Sequence, residues 1–85
     1  MPYIYALERQ RVFTEDGQVT FLKIRDNTAR LLKAAGAARV QEAIQNVSGD
    51  SWLMLACIDR LVELGEIHEI TSHVAGQHRV FVRVE

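Results

Sequence analysis

A single α+β domain, with three helices followed by a pair of strands, is the fold class predicted by these 85 residues. Three observations predict it. Apolar residues recur at spacings of three and four between positions 18 and 64, apolar residues then alternate from 78 to 84, and polar, glycine-containing breaks separate these stretches. Composition agrees: 48% apolar and 25% charged residues, with five Gly and one Pro, exclude disorder, collagen and coiled coil. A chain this short builds one modest core.

The chain begins with Tyr3, Ile4, Tyr5 and Leu7, then Glu8-Arg9-Gln10-Arg11 and Val12-Phe13. Alternation at Tyr3, Tyr5 and Leu7 predicts a short strand or extended N-terminal arm over residues 1–17, ahead of a domain spanning 18–85. Asp16-Gly17 also fits a hairpin turn between Val12-Phe13 and Val19-Thr20-Phe21. The longer period that follows is helical, however, so residues 14–16 read as a helix start. In the first helix, 18–35, Phe21, Ile24, Thr28, Leu31, Leu32 and Ala35 form one stripe, and Gly36 supplies the stop. Its opposite face carries Lys23, Asp26, Arg30 and Lys33, with Asp26 placed to pair with Arg30 one turn on.

After a Gly36-Ala37-Ala38 joint, Val40, Ala43, Ile44 and Val47 repeat the helical spacing in a shorter second helix. Ser48-Gly49-Asp50-Ser51 breaks it, and Asp50 or Ser51 is suited to cap the next helix. That third helix runs over 51–64, with Met54, Cys57, Ile58, Leu61 and Leu64 on one side and Gly65 as its left-handed ending. Residues 66–71 read as a strand, 72–77 as a loop and 78–84 as a second strand. Val80, Val82 and Val84 share one face of it, with Arg79, Phe81 and Arg83 on the other. The expected shared core is Phe21, Ile24, Leu31, Leu32, Val40, Ile44, Ile58, Leu61 and Ile67.

Three segments carry a resemblance: Ala29-Arg30-Leu31-Leu32-Lys33-Ala34-Ala35-Gly36, Val40-Gln41-Glu42-Ala43-Ile44, and Ile58-Asp59-Arg60-Leu61-Val62-Glu63-Leu64-Gly65-Glu66-Ile67. With the tight polar turn between helices two and three, residues 20–84 resemble the winged helix-turn-helix superfamily. The most specific part is the leucine-rich third helix that ends at Gly65 just before Ile67. The resemblance implies a three-helix domain with a C-terminal two-stranded β wing, whose third helix would enter a DNA major groove.

Charge turns the functional reading elsewhere. Net charge is −1, and residues 50–85 hold three basic against six acidic side chains, so the half expected to read DNA is the acidic half. The solvent face of the third helix is Trp52, Leu55 or Ala56, Asp59 and Glu63, with Arg60 at its margin. An exposed Trp52 beside Leu55, rimmed by acids, fits a protein contact. Alternatively, Trp52 folds back over the core beside helix two or the N-terminal arm. The favoured reading is a non-enzymatic winged-helix module for protein interaction or self-association, with Tyr3, Tyr5, Trp52, Leu55 and Asp59 as contact residues. A homodimer is the simplest self-associated form. The alternative is a DNA-binding transcriptional regulator using Lys23, Arg30, Lys33, Arg60, Arg79 and Arg83.

No catalytic constellation appears. His68, His73 and His78 are spaced by five without a Cys pair or a helical His-x-x-x-His, which predicts surface histidines rather than a metal site. Cys57 lies on the apolar side of its helix and reads as a small buried hydrophobe. No cofactor is expected. One Cys, no apolar run near ~18 residues and no signal-like N-terminus predict a cytoplasmic protein outside the membrane.

Overall fold

Thr14 starts the longest element, because its hydroxyl accepts the free N–H of Gly17 at 3.0 Å. Helix α2 then runs Glu15–Ala35 and buries Phe21, Ile24 and Thr28 on its apolar stripe. The computed structural model describes residues 2–72, 74 and 76–84. Ahead of α2 lies α1, Tyr5–Val12. After it come β1, Ala37–Arg39, the short α3, Val40–Ala43, and α4, Ser51–Glu63. Strand β2, Ile67–Glu69, a 3-10 turn at Gly76–His78 and β3, Val80–Arg83, complete the order. The architecture is α+β: the described residues form four helices and one antiparallel sheet of order β1-β3-β2.

The segment expected as a strand or arm is instead helical. The alternation of Tyr3, Tyr5 and Leu7 imitates a strand, yet Tyr3 precedes the helix while Tyr5, Arg9 and Val12 fall on its inner side. Val12 is fully buried. Gly17 permits this packing, since a Cβ there would stand 1.9 Å from the carbonyl oxygen of Arg11. In α4 both sides are covered: Leu53 and Ala56 are buried as well as Met54, Cys57, Ile58 and Leu61. Ala56, placed by its spacing on the solvent face, therefore belongs to the core, because α1 lies along that side.

Two further elements differ from the sequence reading. The Gly36-Ala37-Ala38 joint continues into β1, which pairs with β3 so that Ala38 faces Phe81. The second helix stops at Ala43 rather than Val47, and its end is held by Asn27, whose side-chain amide donates to the carbonyl oxygens of Ala43 and Gln45. The core joins Val12, Phe21, Ile24, Val40, Ile58, Leu61, Ile67 and Phe81, and the expected core residues Leu31, Leu32 and Ile44 pack half-buried at its edge. Gly65 follows α4 with φ +76, the left-handed turn that sends the chain back as β2.

Candidate interaction surface

Helix α4 begins on Asp50, whose carboxylate accepts the Trp52 N–H at 2.7 Å. From there the surface it presents divides in two. Its first turns carry Trp52 and Leu55, and its last turns carry Asp59 and Glu63.

The acidic end is covered from within the chain. The Tyr3 hydroxyl donates to Asp59 Oδ2 at 2.6 Å, and Arg79 donates to Asp59 Oδ1 at 2.7 Å. The same guanidinium reaches Glu69 at 2.9 and 3.1 Å and lies over the Phe81 ring. Thr71 extends this network: its hydroxyl donates to Glu69 and accepts the Val80 N–H. One turn further, Glu63 accepts from the Tyr5 hydroxyl at 2.8 Å, from Arg9 and from Arg60 at 2.7 Å. The Phe13 ring sits against both of those guanidiniums, at 5.0 and 4.9 Å.

These contacts set the local protonation. Three donors, Tyr5, Arg60 and Arg9, hold the Glu63 carboxyl down at about 2. Burial and the bond to Glu63 push the Tyr5 phenol up to about 12. Burial and the bond to Asp59 likewise raise Tyr3. For Arg79, burial acts to lower the pKa, but hydrogen bonds to Asp59 and Glu69 outweigh it and the net shift is upward. Glu69 is lowered chiefly by its bond to Arg79.

The other end of α4 is open. Trp52, Met54 and Leu55 form a groove with Val40 of α3, with Ile44 just after it and with the turn Gly76–His78. Trp52 and Leu55 are half-buried there, and Leu55 packs against the core.

Among the expected contact residues, Tyr3 and Asp59 are brought together, Tyr5 goes to Glu63, and Trp52 and Leu55 share the groove. The expected DNA contacts separate into two sets. Arg60 and Arg79 are tied to carboxylates, so neither guanidinium is free to meet a phosphate. Lys23, Arg30, Lys33 and Arg83, with Arg39, form no ion pair among the described residues. Lys23 and Arg30 border one cleft between α2 and the segment after α3, and Arg30 donates to the Asn27 side chain.

Sequence reasoning missed the roles of Arg9, Glu69 and Thr71. No local signal marks them, since Arg9 meets Glu63 of α4, Glu69 meets Arg79, and Thr71 joins Glu69 to the Val80 N–H of β3. Cys57 is fully buried, and burial pushes its thiol up to about 12, away from the nucleophilic thiolate. Among the described residues no three His, Cys, Asp or Glu side chains converge as metal ligands. His73 lies outside the described residues. Among the described residues no helix is long and apolar enough to cross a membrane. Compared with models of known protein families, with curated proteins and with solved structures, the chain matches none.

Proposed function

We propose that this chain is a non-enzymatic winged-helix module that binds protein through the groove beside Trp52 and Leu55. The observation that carries this reading is the occupation of Asp59, Glu63 and Asp50 by Tyr3, Tyr5, Arg9 and Arg11, which lays α1 along α4, beside an apolar groove that Trp52 and Leu55 line. A helix covered along one side by its own chain does not fit into a major groove, which must close around the reading helix. The winged-helix reading is supported by the order of α2, α3 and α4, the polar turn ahead of Asp50, and β2 and β3 returning after Gly65. The cytoplasmic location expected from the sequence belongs to the same proposal.

A groove lined by an aromatic and several aliphatic side chains gains affinity from desolvation, so the expected partner offers an apolar anchor, whether on another protein or on a second copy of this chain. Such a contact changes little with salt. A second reading, DNA binding, is favoured by Lys23, Arg30, Lys33 and Arg83, which form no ion pair among the described residues, and phosphate binding weakens steeply as salt rises. A titration with non-specific duplex at low and physiological salt, beside light scattering across concentration, separates the two. The protein-binding reading expects no duplex binding at physiological salt and, for self-association, a mass increase reduced by Trp52→Ala. Sub-micromolar, sequence-selective duplex binding under those conditions overturns it.

A further inference from the structure

The ladder of the sheet builds a second surface that shares no residue with the Trp52 groove. Opposite residues share a face, so Arg39, Val80 and Ile70 form one row and Ala37, Val82 and His68 the next. The reverse face holds Ala38, Ile67 and Phe81, all buried in the core. The outer rows are open: Val80 and Val82 are half-buried, Arg39 and His68 are exposed, and Ile70 and the following Val84 are 57% and 45% exposed. Ile70, Val80, Val82 and Val84 thus form one contiguous apolar strip on the open face.

We infer that this outer sheet face docks a short apolar segment bearing acidic side chains. The charge on the face argues for the occupant. Arg9, Arg11, Arg25, Arg60 and Arg79 all pair with carboxylates of the chain, whereas Arg39, exposed on this face, has no ion-pair partner among the described residues. Glu69, the acid within the ladder, stands opposite Phe81 on the reverse face and is held by Arg79, and Glu66 ahead of β2 is engaged by Arg25. A second copy of this face would offer Arg39 no unengaged carboxylate among the described residues, which disfavours two-fold pairing of the face with itself. Size points the same way. Three short strands make a footprint of only about 14 by 13 Å, far below the ~800 Å² per partner of a stable globular interface. One extended or helical segment fits it. The apolar residues would cover Val80, Val82 and Ile70, and a carboxylate would meet Arg39.

The test uses the whole chain and short synthetic peptides that alternate leucine with glutamate, with lysine or with serine. Methyl NMR signals report which face responds. The expected result is that the glutamate peptide shifts the methyls of Ile70, Val80, Val82 and Val84 and binds more tightly than the other two. Arg39 is exposed and has no ion-pair partner among the described residues, so Arg39→Glu is expected to leave the fold intact, which an unchanged amide spectrum elsewhere checks. This variant is expected to weaken the glutamate peptide by about five-fold, the scale of one reversed surface pair, and to gain affinity for the lysine peptide. Val84→Asp, at an exposed position, is expected to lower affinity for the glutamate peptide as well. Equal affinity for the three peptides, or shifts confined to the Trp52 groove, overturns the inference. So does duplex DNA shifting the same methyls while the glutamate peptide does not.

Discussion

Tyr3 and Asp59 lie 56 positions apart in the chain, and their side chains meet at 2.6 Å. Through Asp59 the phenol also touches the ion network of Arg79 and Glu69, so the N-terminal segment, α4 and the start of β3 meet at one carboxylate. Asp59 is therefore a joint between elements rather than a free rim charge.

The two ends of that hydrogen bond should respond unequally to substitution. Tyr3→Phe removes one donor and keeps the ring, which is expected to cost ~0.5–1.5 kcal/mol. Asp59→Ala leaves both the Tyr3 hydroxyl and one side of a guanidinium only 15% exposed without their acceptor, and ~1–3 kcal/mol is expected after allowing for partial solvation. Denaturant midpoints of the two variants and the double variant measure this. Strict additivity would show that the pair is not coupled.

Gly17 and Gly65 are expected to resist substitution for different reasons. At Gly17 an added Cβ meets backbone, the Arg11 and Val12 carbonyl oxygens at 1.9 and 2.8 Å, so Gly17→Ala must part α1 from α2. At Gly65 nothing stands within 4 Å, and Gly65→Ala suffers only from its φ of +76. The expected costs are upwards of ~2 kcal/mol for Gly17→Ala and ~1 kcal/mol for Gly65→Ala. Thermal melts compare them, and a Gly17→Ala protein as stable as the wild type would refute the close packing of α1.

What was legible in the sequence and what was not divides along the same line. The stripes Phe21-Ile24-Thr28 and Ile58-Leu61 and the alternation of Val80, Val82 and Val84 are local periods, and the elements they predict are present. Gly65 was readable because a reversal needs a left-handed residue. Helix α1 was not, since the residues it turns towards α4 include Tyr5 and Arg9, whose partner Glu63 stands over fifty residues away. Strand β1 was not readable either: Ala-Ala-Arg has little strand preference of its own and is extended because β3 lies beside it. The candidate surface follows suit. Trp52 and Leu55 were identifiable as apolar residues off the core stripe, but the groove needs Val40, Ile44 and the turn Gly76–His78 to form.

Acid should loosen the hold of α1 on α4. The Glu63 carboxyl is depressed to about 2 by Tyr5, Arg60 and Arg9, against about 4.3 in an unfolded chain. A group bound more tightly when ionised adds stability that is full above the unfolded value and is lost as pH falls towards the folded one. Stability is therefore expected to decline between about pH 4.5 and 2, with Glu69, also lowered, contributing in the same direction. Glu63→Gln should be less stable than the wild type at neutral pH and should decline less steeply on acidification. Parallel profiles for the two proteins would rule out the Glu63 contribution.

Removal of residues 1–13 is the most demanding test of how the chain covers its own apolar surface. Sequence reasoning left two outcomes for Tyr3, Ile4, Tyr5, Leu7, Val12 and Phe13: covering the third helix within one chain, or burying themselves against another. In the fold Val12 is fully buried, Tyr3 and Tyr5 pack against the core, and Ala56 of α4 is closed off from solvent. Losing this segment removes one buried valine and two half-buried tyrosine rings, and opens the side of α4 that bears Ala56 and Leu53. At ~25 cal/mol per Å² of apolar area, that is a loss of several kcal/mol from a domain whose whole stability is of order 5–15 kcal/mol. The shortened chain is thus expected to melt well below the full chain. It is also expected to gain mass with concentration in light scattering, because the bared face of α4 is apolar. A shortened chain that keeps both its midpoint and its mass would mean that α1 does not cover α4 in solution.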